Sequence, residues 1–144
     1  MSVHFATLRT MSTRSMQCQT TTETAPNSES ARTTILVVED ELEIRELMKS
    51  SLETGGFDVI TAANGLEGLR RYNENREHVR LVVTDLDMPA MNGSDMIRQI
   101  FRTTPAMKVI VASGRSRSED GVATRCLQKP YTGRELREAV QLVL

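Results

Sequence analysis

Tryptophan is absent from the 144 residues, and only three Phe and two Tyr are present. Flat aromatic platforms for stacking single-stranded nucleic acid are thereby excluded. The two cysteines, Cys18 and Cys126, cannot make a disulfide framework and have no metal-ligand spacing. A reducing, cytoplasmic setting follows. No apolar run approaches the ~20 residues that a membrane-crossing helix needs. Neither sign of charge dominates, with 18 basic and 19 acidic residues. That removes a bulk electrostatic pull toward nucleic acid or an anionic membrane. A Gly-rich phosphate loop is also missing, so no nucleotide is implied. His4 and His78 fall in polar surroundings and read as surface residues.

The chain is long enough for one domain with its own core. Composition changes near Thr33, and 14 of the first 34 residues are Ser or Thr. Such a segment cannot bury enough apolar surface to offset its ordering entropy, so residues 1–33 read as a disordered tail. Its first 22 residues carry Arg9 and Arg14 but no acid, a loose likeness to a transit peptide. Met11 and Met16 leave room for a later start.

From residue 34 to 144, short apolar runs alternate with helical periodicity. Residues 34–38 (TILVV) suit a strand buried on both faces. A helical stripe of Leu42, Arg45/Glu46, Met48 and Leu52 follows and stops at Gly55-Gly56. Residues 57–62 alternate as a second strand, and Asn64-Gly65 turns into a helix. Residues 79–84 form the third strand, and a helix around 94–102 ends before Thr104-Pro105. Residues 107–112 and, more weakly, 124–128 are the fourth and fifth strands. An amphipathic helix over 133–144 has Thr132 and Gly133 at its start. Met48, Met96 and Met107 lie on apolar faces and belong to the core. This alternation predicts a doubly wound α/β domain with a parallel sheet. Right-handed crossovers bring every strand C-terminus to one edge, where such folds bind ligands.

The first strand runs into Glu39-Asp40, the third into Asp85, the fourth into Ser113-Gly114 and the fifth into Lys129-Pro130. Each has an ordinary explanation alone: Asp40 as a helix cap, Ser113 as a turn, Lys129 as a solvated cation. Together they place three carboxylates, a hydroxyl and an ammonium on one edge. Carboxylates so close repel unless a cation answers them. An oxygen-only ligand set suits Mg²⁺. A divalent ion beside a free carboxylate oxygen is the arrangement for phosphoryl transfer to that carboxylate, with the lysine and hydroxyl holding the phosphoryl oxygens. Asp85, ending the central strand, is the candidate nucleophile.

The segments ILVVEDE, VTDLDMPAMNG, VIVASG and LQKPY, in that order, resemble the response regulator receiver domain of two-component signalling. The resemblance covers residues 34–144. It implies a five-stranded flavodoxin-like sheet of order 2-1-3-4-5 and phosphorylation of Asp85 by the phosphohistidine of a sensor histidine kinase or phosphotransfer protein. It also implies that Asp40, Asp85 and the Asp87 backbone carbonyl ligate Mg²⁺, with Glu39 acting through a water. Lys129 would pair with the phosphoryl group, Ser113 would supply the hydroxyl that moves toward it, and the Lys129-Pro130 bond would be cis. Such a protein is a phosphoacceptor that assists its own phosphorylation and dephosphorylation, rather than an enzyme acting on other molecules. Pro89 and Gly93 set the loop carrying the Asp87 carbonyl. Gly114 leaves room for a donor histidine or a water, and the Asp87 side chain is expected to tune hydrolysis of the acyl phosphate.

The sequence departs from the family pattern in two places. Cys126 stands where the family usually has Phe or Tyr, three residues before the lysine, and reads as a small buried residue. Residues 114–123 are short for a parallel crossover, which needs at least ~10–12 residues, and carry no apolar stripe. The fourth helix is therefore expected to be missing or reduced to a turn, which alters the face that the family uses for signalling and dimerisation. With Leu144 at the end of the last helix, the chain reads as a stand-alone receiver that docks an unknown downstream protein or passes phosphate onward. Two other readings start from the same residues. One is a receiver-like binding module without phosphorylation. The other is an aspartyl-phosphate hydrolase of the haloacid dehalogenase type, suggested by Asp85-x-Asp87. That family expects Thr where Pro89 stands, and there is no room for its cap domain.

Overall fold

Alternate side chains of β1 (Thr34–Val38) enter two separate apolar layers, as the two-residue period of a strand dictates. Ile35 and Val37 join one layer with Met48, Leu52, Leu136 and Val140. Leu36 and Val38 join the other with Tyr72, Met96, Ile97 and Ile100. The computed structural model describes residues 31–114 and 123–144, and Arg32–Leu144 forms one compact unit. The tail expected over residues 1–33 falls almost wholly outside the described residues.

Five strands are described, and all neighbours pair in parallel: β2 (Asp58–Ala62), β1, β3 (Val79–Asp85), β4 (Lys108–Ser113) and β5 (Arg125–Gln128), in that spatial order. Helices α1 (Leu42–Thr54) and α4 (Gly133–Val143) supply the first layer, α2 (Gly65–Glu74) and α3 (Gly93–Thr103) the second. Each fully buried Leu, Ile, Val or Met contributes roughly 1.5–3 kcal/mol relative to exposure, which makes the two layers the main source of stability. The expected core methionines are there, Met48 at 2%, Met96 at 0% and Met107 at 8% exposure. From β1 the chain moves outward to β2 and then crosses to β3 on the other side, so strand order reverses between β1 and β3. The crevice above that reversal is where doubly wound sheets bind ligands.

Element boundaries differ from the expectation by a residue or two at most of the ends. Two local readings change more. Leu42 is 60% exposed, and the inward stripe of α1 is Ile44, Met48 and Leu52, spaced by four. Asn64 is a helix cap rather than a free turn. Its side chain accepts from the Glu67 backbone N–H at 2.8 Å, and the Glu67 carboxylate accepts from the Ala63 N–H at 2.9 Å. At α4 the same logic holds as expected, with a reciprocal capping box between Thr132 and Glu135. Arg137 donates to the Ser51 hydroxyl at 2.8 Å and Ser51 donates to the Gly133 carbonyl at 2.9 Å, tying α4 to α1.

Cys126 is exposed, not buried. Its register partner Val111 assigns it to the α2–α3 face of the sheet. Helix α4 packs on β5 from the opposite face, and no described helix intervenes between β4 and β5. The shortened fourth helix was expected in the connection that includes residues 115–122, which lie outside the described residues.

Candidate functional site

Glu39 and Asp40 follow β1 directly, and Asp85 is the last residue of β3, its neighbour in the sheet. Pairing of Val38 with Thr84 puts the next residues of both strands side by side. One carboxylate oxygen from each of Glu39, Asp40 and Asp85 lies within 4.8 Å of the others. Glu39 is 1% and Asp85 8% exposed, whereas Asp40 is at the surface. Asp40 does not cap α1: the N-cap is Glu41, and its side chain makes no cap bond. The alternative of a cap for Asp40 therefore fails.

The backbone on either side of these acids is pinned. Glu39 donates its N–H to the Ala62 carbonyl at 3.1 Å, and Glu41 donates to Glu39 Oε1 at 3.2 Å. Arg45 Nη1 donates to the Glu39 carbonyl at 2.7 Å, so a cation on the first turns of α1 clamps the end of β1. Thr84 spends its buried hydroxyl on the Asp85 carbonyl at 2.8 Å. From the sequence, Arg45 reads only as part of the helical stripe of α1, and Thr84 has no role beyond the third strand. The available signal was a basic residue six positions after Glu39 on the helix that follows it.

Lys129 answers the acids from the end of β5. Its Nζ lies 2.7 Å from Asp85 Oδ2 and 3.6 Å from Glu39 Oε2. The Lys129-Pro130 bond is cis, as the resemblance implied, and the Lys129 N–H donates to the Ser113 carbonyl at 2.9 Å. Burial alone would lower the Lys129 pKa. The hydrogen bond and charge of Asp85, then the charge of Glu39, outweigh it and hold the ammonium above its ordinary value. Burial raises the Glu39 pKa and the Glu41 N–H opposes it. A hydrogen bond with Asp40 and the charge of Asp85 add to the rise, against the pull of Lys129. Tyr131 sits half-buried nearby, its phenol pushed up to about 12 by burial and by the Glu39 charge.

The loop after β3 folds back under the same strand end. Asp87 donates its N–H to Asp85 Oδ1 at 3.1 Å, and Gly93 donates to the Leu86 carbonyl at 3.1 Å. A Cβ on Gly93 would stand 2.2 Å from the Asp85 carbonyl oxygen, so the close approach requires glycine. The chain reverses at Ala90, which takes φ 72° directly after Pro89. Asn92 caps α3 by accepting from the Asp95 N–H at 2.9 Å. The Asp87 side chain is exposed at the mouth of the site. Ser113 ends β4 one position beyond Ala112, the register partner of Asp85, and is 6% exposed. Gly114 is exposed, and a Cβ there would meet none of the described residues within 4 Å.

The structure thus gathers Glu39, Asp40 and Asp85, sets Lys129 against Asp85 and Glu39, and places Ser113 and Asp87 on the same rim. The donor set fits a hard divalent cation: three carboxylates, with the buried Glu39 Oε2 lacking a hydrogen-bond partner. Lys129 alone does not balance three acids. An oxygen nucleophile held between a cation and a backbone N–H is equipped to accept an electrophilic phosphoryl group.

Residues 35–141 match the family described as the response regulator receiver domain. Among curated relatives, a CpxR homolog of Haemophilus influenzae, a transcriptional regulatory protein, is 37% identical over 116 residues, covering 76% of this chain and 49% of that protein. The chemotaxis protein CheY1 of Helicobacter pylori is 27% identical over 119 residues, 76% of this chain and 95% of that protein. Among solved structures, the response regulator TrrA of Thermotoga maritima, in complex with Mg²⁺-BeF, has a TM-score of 0.70 at 31% identity, covering 77% of this chain and 98% of that one. The chain spans about half the length, 49% and 47%, of the first two curated relatives it matches.

Proposed function

The chain belongs to the response regulator receiver family of two-component signalling, and from that premise we propose that it accepts a phosphoryl group on Asp85 from the phosphohistidine of a sensor histidine kinase or phosphotransfer protein. The observation that carries this reading is the contact of Lys129 Nζ with Asp85 Oδ2 at 2.7 Å, beside two further carboxylates gathered around the same strand end.

In the proposed reaction an Asp85 carboxylate oxygen attacks phosphorus, the P–N bond of the phosphohistidine breaks, and the imidazole leaves with the bonding pair. The product is an acyl phosphate on Asp85. The Asp87 N–H holds Asp85 Oδ1, fixing the attack direction. Lys129 transfers its hydrogen bond from Asp85 to a phosphoryl oxygen, and the Ser113 hydroxyl donates to another. Asp40, Asp85 and the Asp87 carbonyl would hold Mg²⁺, with Glu39 acting through a water. When bound, the ion would supply positive charge to offset that on the phosphoryl oxygens. Asp87, exposed at the rim, bears on later hydrolysis.

The phosphodonor is proposed to dock on the apolar groove of about 410 Å³ beside Lys129, between α1 and α4, where Ile44, Leu47, Pro130 and Tyr131 are exposed or half-exposed. Output then follows, in the cytoplasm, by docking a further protein or by onward phosphate transfer. Among the described residues no helix is long and apolar enough to cross a membrane. Acetyl phosphate with Mg²⁺ should add one phosphoryl group to the wild type and none to Asp85→Asn, read by intact mass. Failure with both acetyl phosphate and a phosphorylated histidine kinase would turn the reading toward a binding module.

A further inference from the structure

The opposite edge of the sheet carries a second cavity, of about 470 Å³, larger than the groove beside Lys129. Val79 and Met107, both buried, form part of its floor, and Arg76, Arg80 and Lys108 stand exposed around it, with Thr33 beside them. Arg80 Nη1 donates to the Glu77 carbonyl at 2.9 Å, which steadies one guanidinium through a neutral partner. Among the described residues, no carboxylate lies within 4.0 Å of any of the three cations. The two arginines on α2 behave differently: Arg70 and Arg71 are both paired with Glu67. Val79 begins β3 and Asp85 ends it, so this cavity lies roughly 20 Å from the phosphorylation site at ~3.3 Å per strand residue.

We propose that this cavity binds a phosphate monoester of a small molecule with an apolar or ring-shaped body. Three exposed cations around one concavity give it a positive potential that attracts an anion. Two guanidiniums match the oxygens of a phosphate in paired hydrogen bonds, and the ammonium adds a point charge. The apolar floor distinguishes the site from one for free inorganic phosphate, because it has surface to cover a ligand body. Its size falls in the usual range for small-molecule sites, roughly 300–1,000 Å³. A concave pocket also favours a small ester over an extended acidic partner, which needs a broad face.

The test is a titration of the ¹⁵N-labelled full chain with phenyl phosphate, followed by backbone amide shifts. EDTA is present throughout to keep divalent ions from the Asp85 site. Parallel arms use inorganic phosphate, benzyl alcohol and vesicles containing a phosphatidic acid. Saturable shifts centred on Arg76, Arg80 and Lys108, with those at Asp85 and Lys129 unmoved, are expected. Phenyl phosphate should bind at least tenfold more tightly than inorganic phosphate, and benzyl alcohol should not bind. Arg76→Ala with Arg80→Ala should weaken phenyl phosphate at least tenfold while Mg²⁺-dependent phosphorylation by acetyl phosphate is unchanged. The proposal is overturned by unsaturated shifts at millimolar ligand, by equal affinity for the two phosphates, by an unaffected double variant, or by binding to vesicles alone. Because that titration contains no divalent ion, its failure is separable from failure of phosphorylation at Asp85.

Discussion

Strands β3 and β5 both end in the proposed site, one supplying Asp85 and the other Lys129, yet they are built differently. All but one residue of β3 is buried, and the strand lies between β1 and β4. In β5 only Leu127 is even half-buried, and the strand forms an edge of the sheet. The carboxylate is thereby set on a strand buried along nearly all its length, and its cation on a mostly exposed one. A nucleophile must be held to within a fraction of an ångström. A cation that must exchange a carboxylate partner for phosphoryl oxygens gains from a support with less packing around it. The asymmetry suits each half of the pair to its part in the proposed transfer.

The first way to break this comparison is at the cation. Lys129→Ala should slow phosphorylation by acetyl phosphate on the order of 10²-fold, the usual effect of losing one transition-state donor. The rate of mass gain gives the answer, and an unchanged rate would reduce the 2.7 Å contact to a structural ion pair. The strands themselves come next. Leu81→Ala in β3 should cost ~2–5 kcal/mol in urea unfolding, as fully buried Leu truncations do. Leu127→Ala in β5 should cost about 1 kcal/mol, because the side chain is only partly covered. Equal costs would remove the distinction. Gly93→Ala tests the loop that braces Asp85: its Cβ meets the Asp85 carbonyl, so a loss of ~1–3 kcal/mol is expected, together with slower phosphorylation.

Much of this contrast was legible before any coordinates. The apolar runs of β1, β3 and β4 located the buried strands, and the residues just beyond them named the site. Strand ends are readable because the run stops where solvent begins. Leu42 was misplaced for a physical reason: on α1, with few apolar residues, two stripes fit the spacing, and only packing against Ile35 and Val37 selects Ile44-Met48-Leu52. Cys126 was read as buried because a strand residue beside a core strand usually is. An edge strand with a described helix on only one face breaks that rule. The site roles of Arg45 and Thr84 are bonds to backbone carbonyls, which leave no residue pattern.

The smallest effect lies away from the site, in the cap of α2. The Ala63 N–H holds the Glu67 carboxyl below its ordinary 4.5 against the opposing effect of burial, with nearby Arg71 and then Arg70 adding to the fall. A depressed folded value means that the stabilisation is fully present above 4.5 and is lost as pH falls through the folded value. Glu67→Gln should therefore lower the melting temperature slightly at neutral pH, with the gap closing in acid. A gap that is constant with pH would assign the cap no charge component.

The central claim is that the carboxylate on the buried strand, and not its exposed neighbours, receives the phosphoryl group. Borohydride reduces an aspartyl phosphate to homoserine and leaves free carboxylates untouched. After phosphorylation by acetyl phosphate with Mg²⁺, reduction and peptide mapping should place homoserine at position 85 alone. Homoserine at position 40 or 87, or at none of the three, would contradict the account.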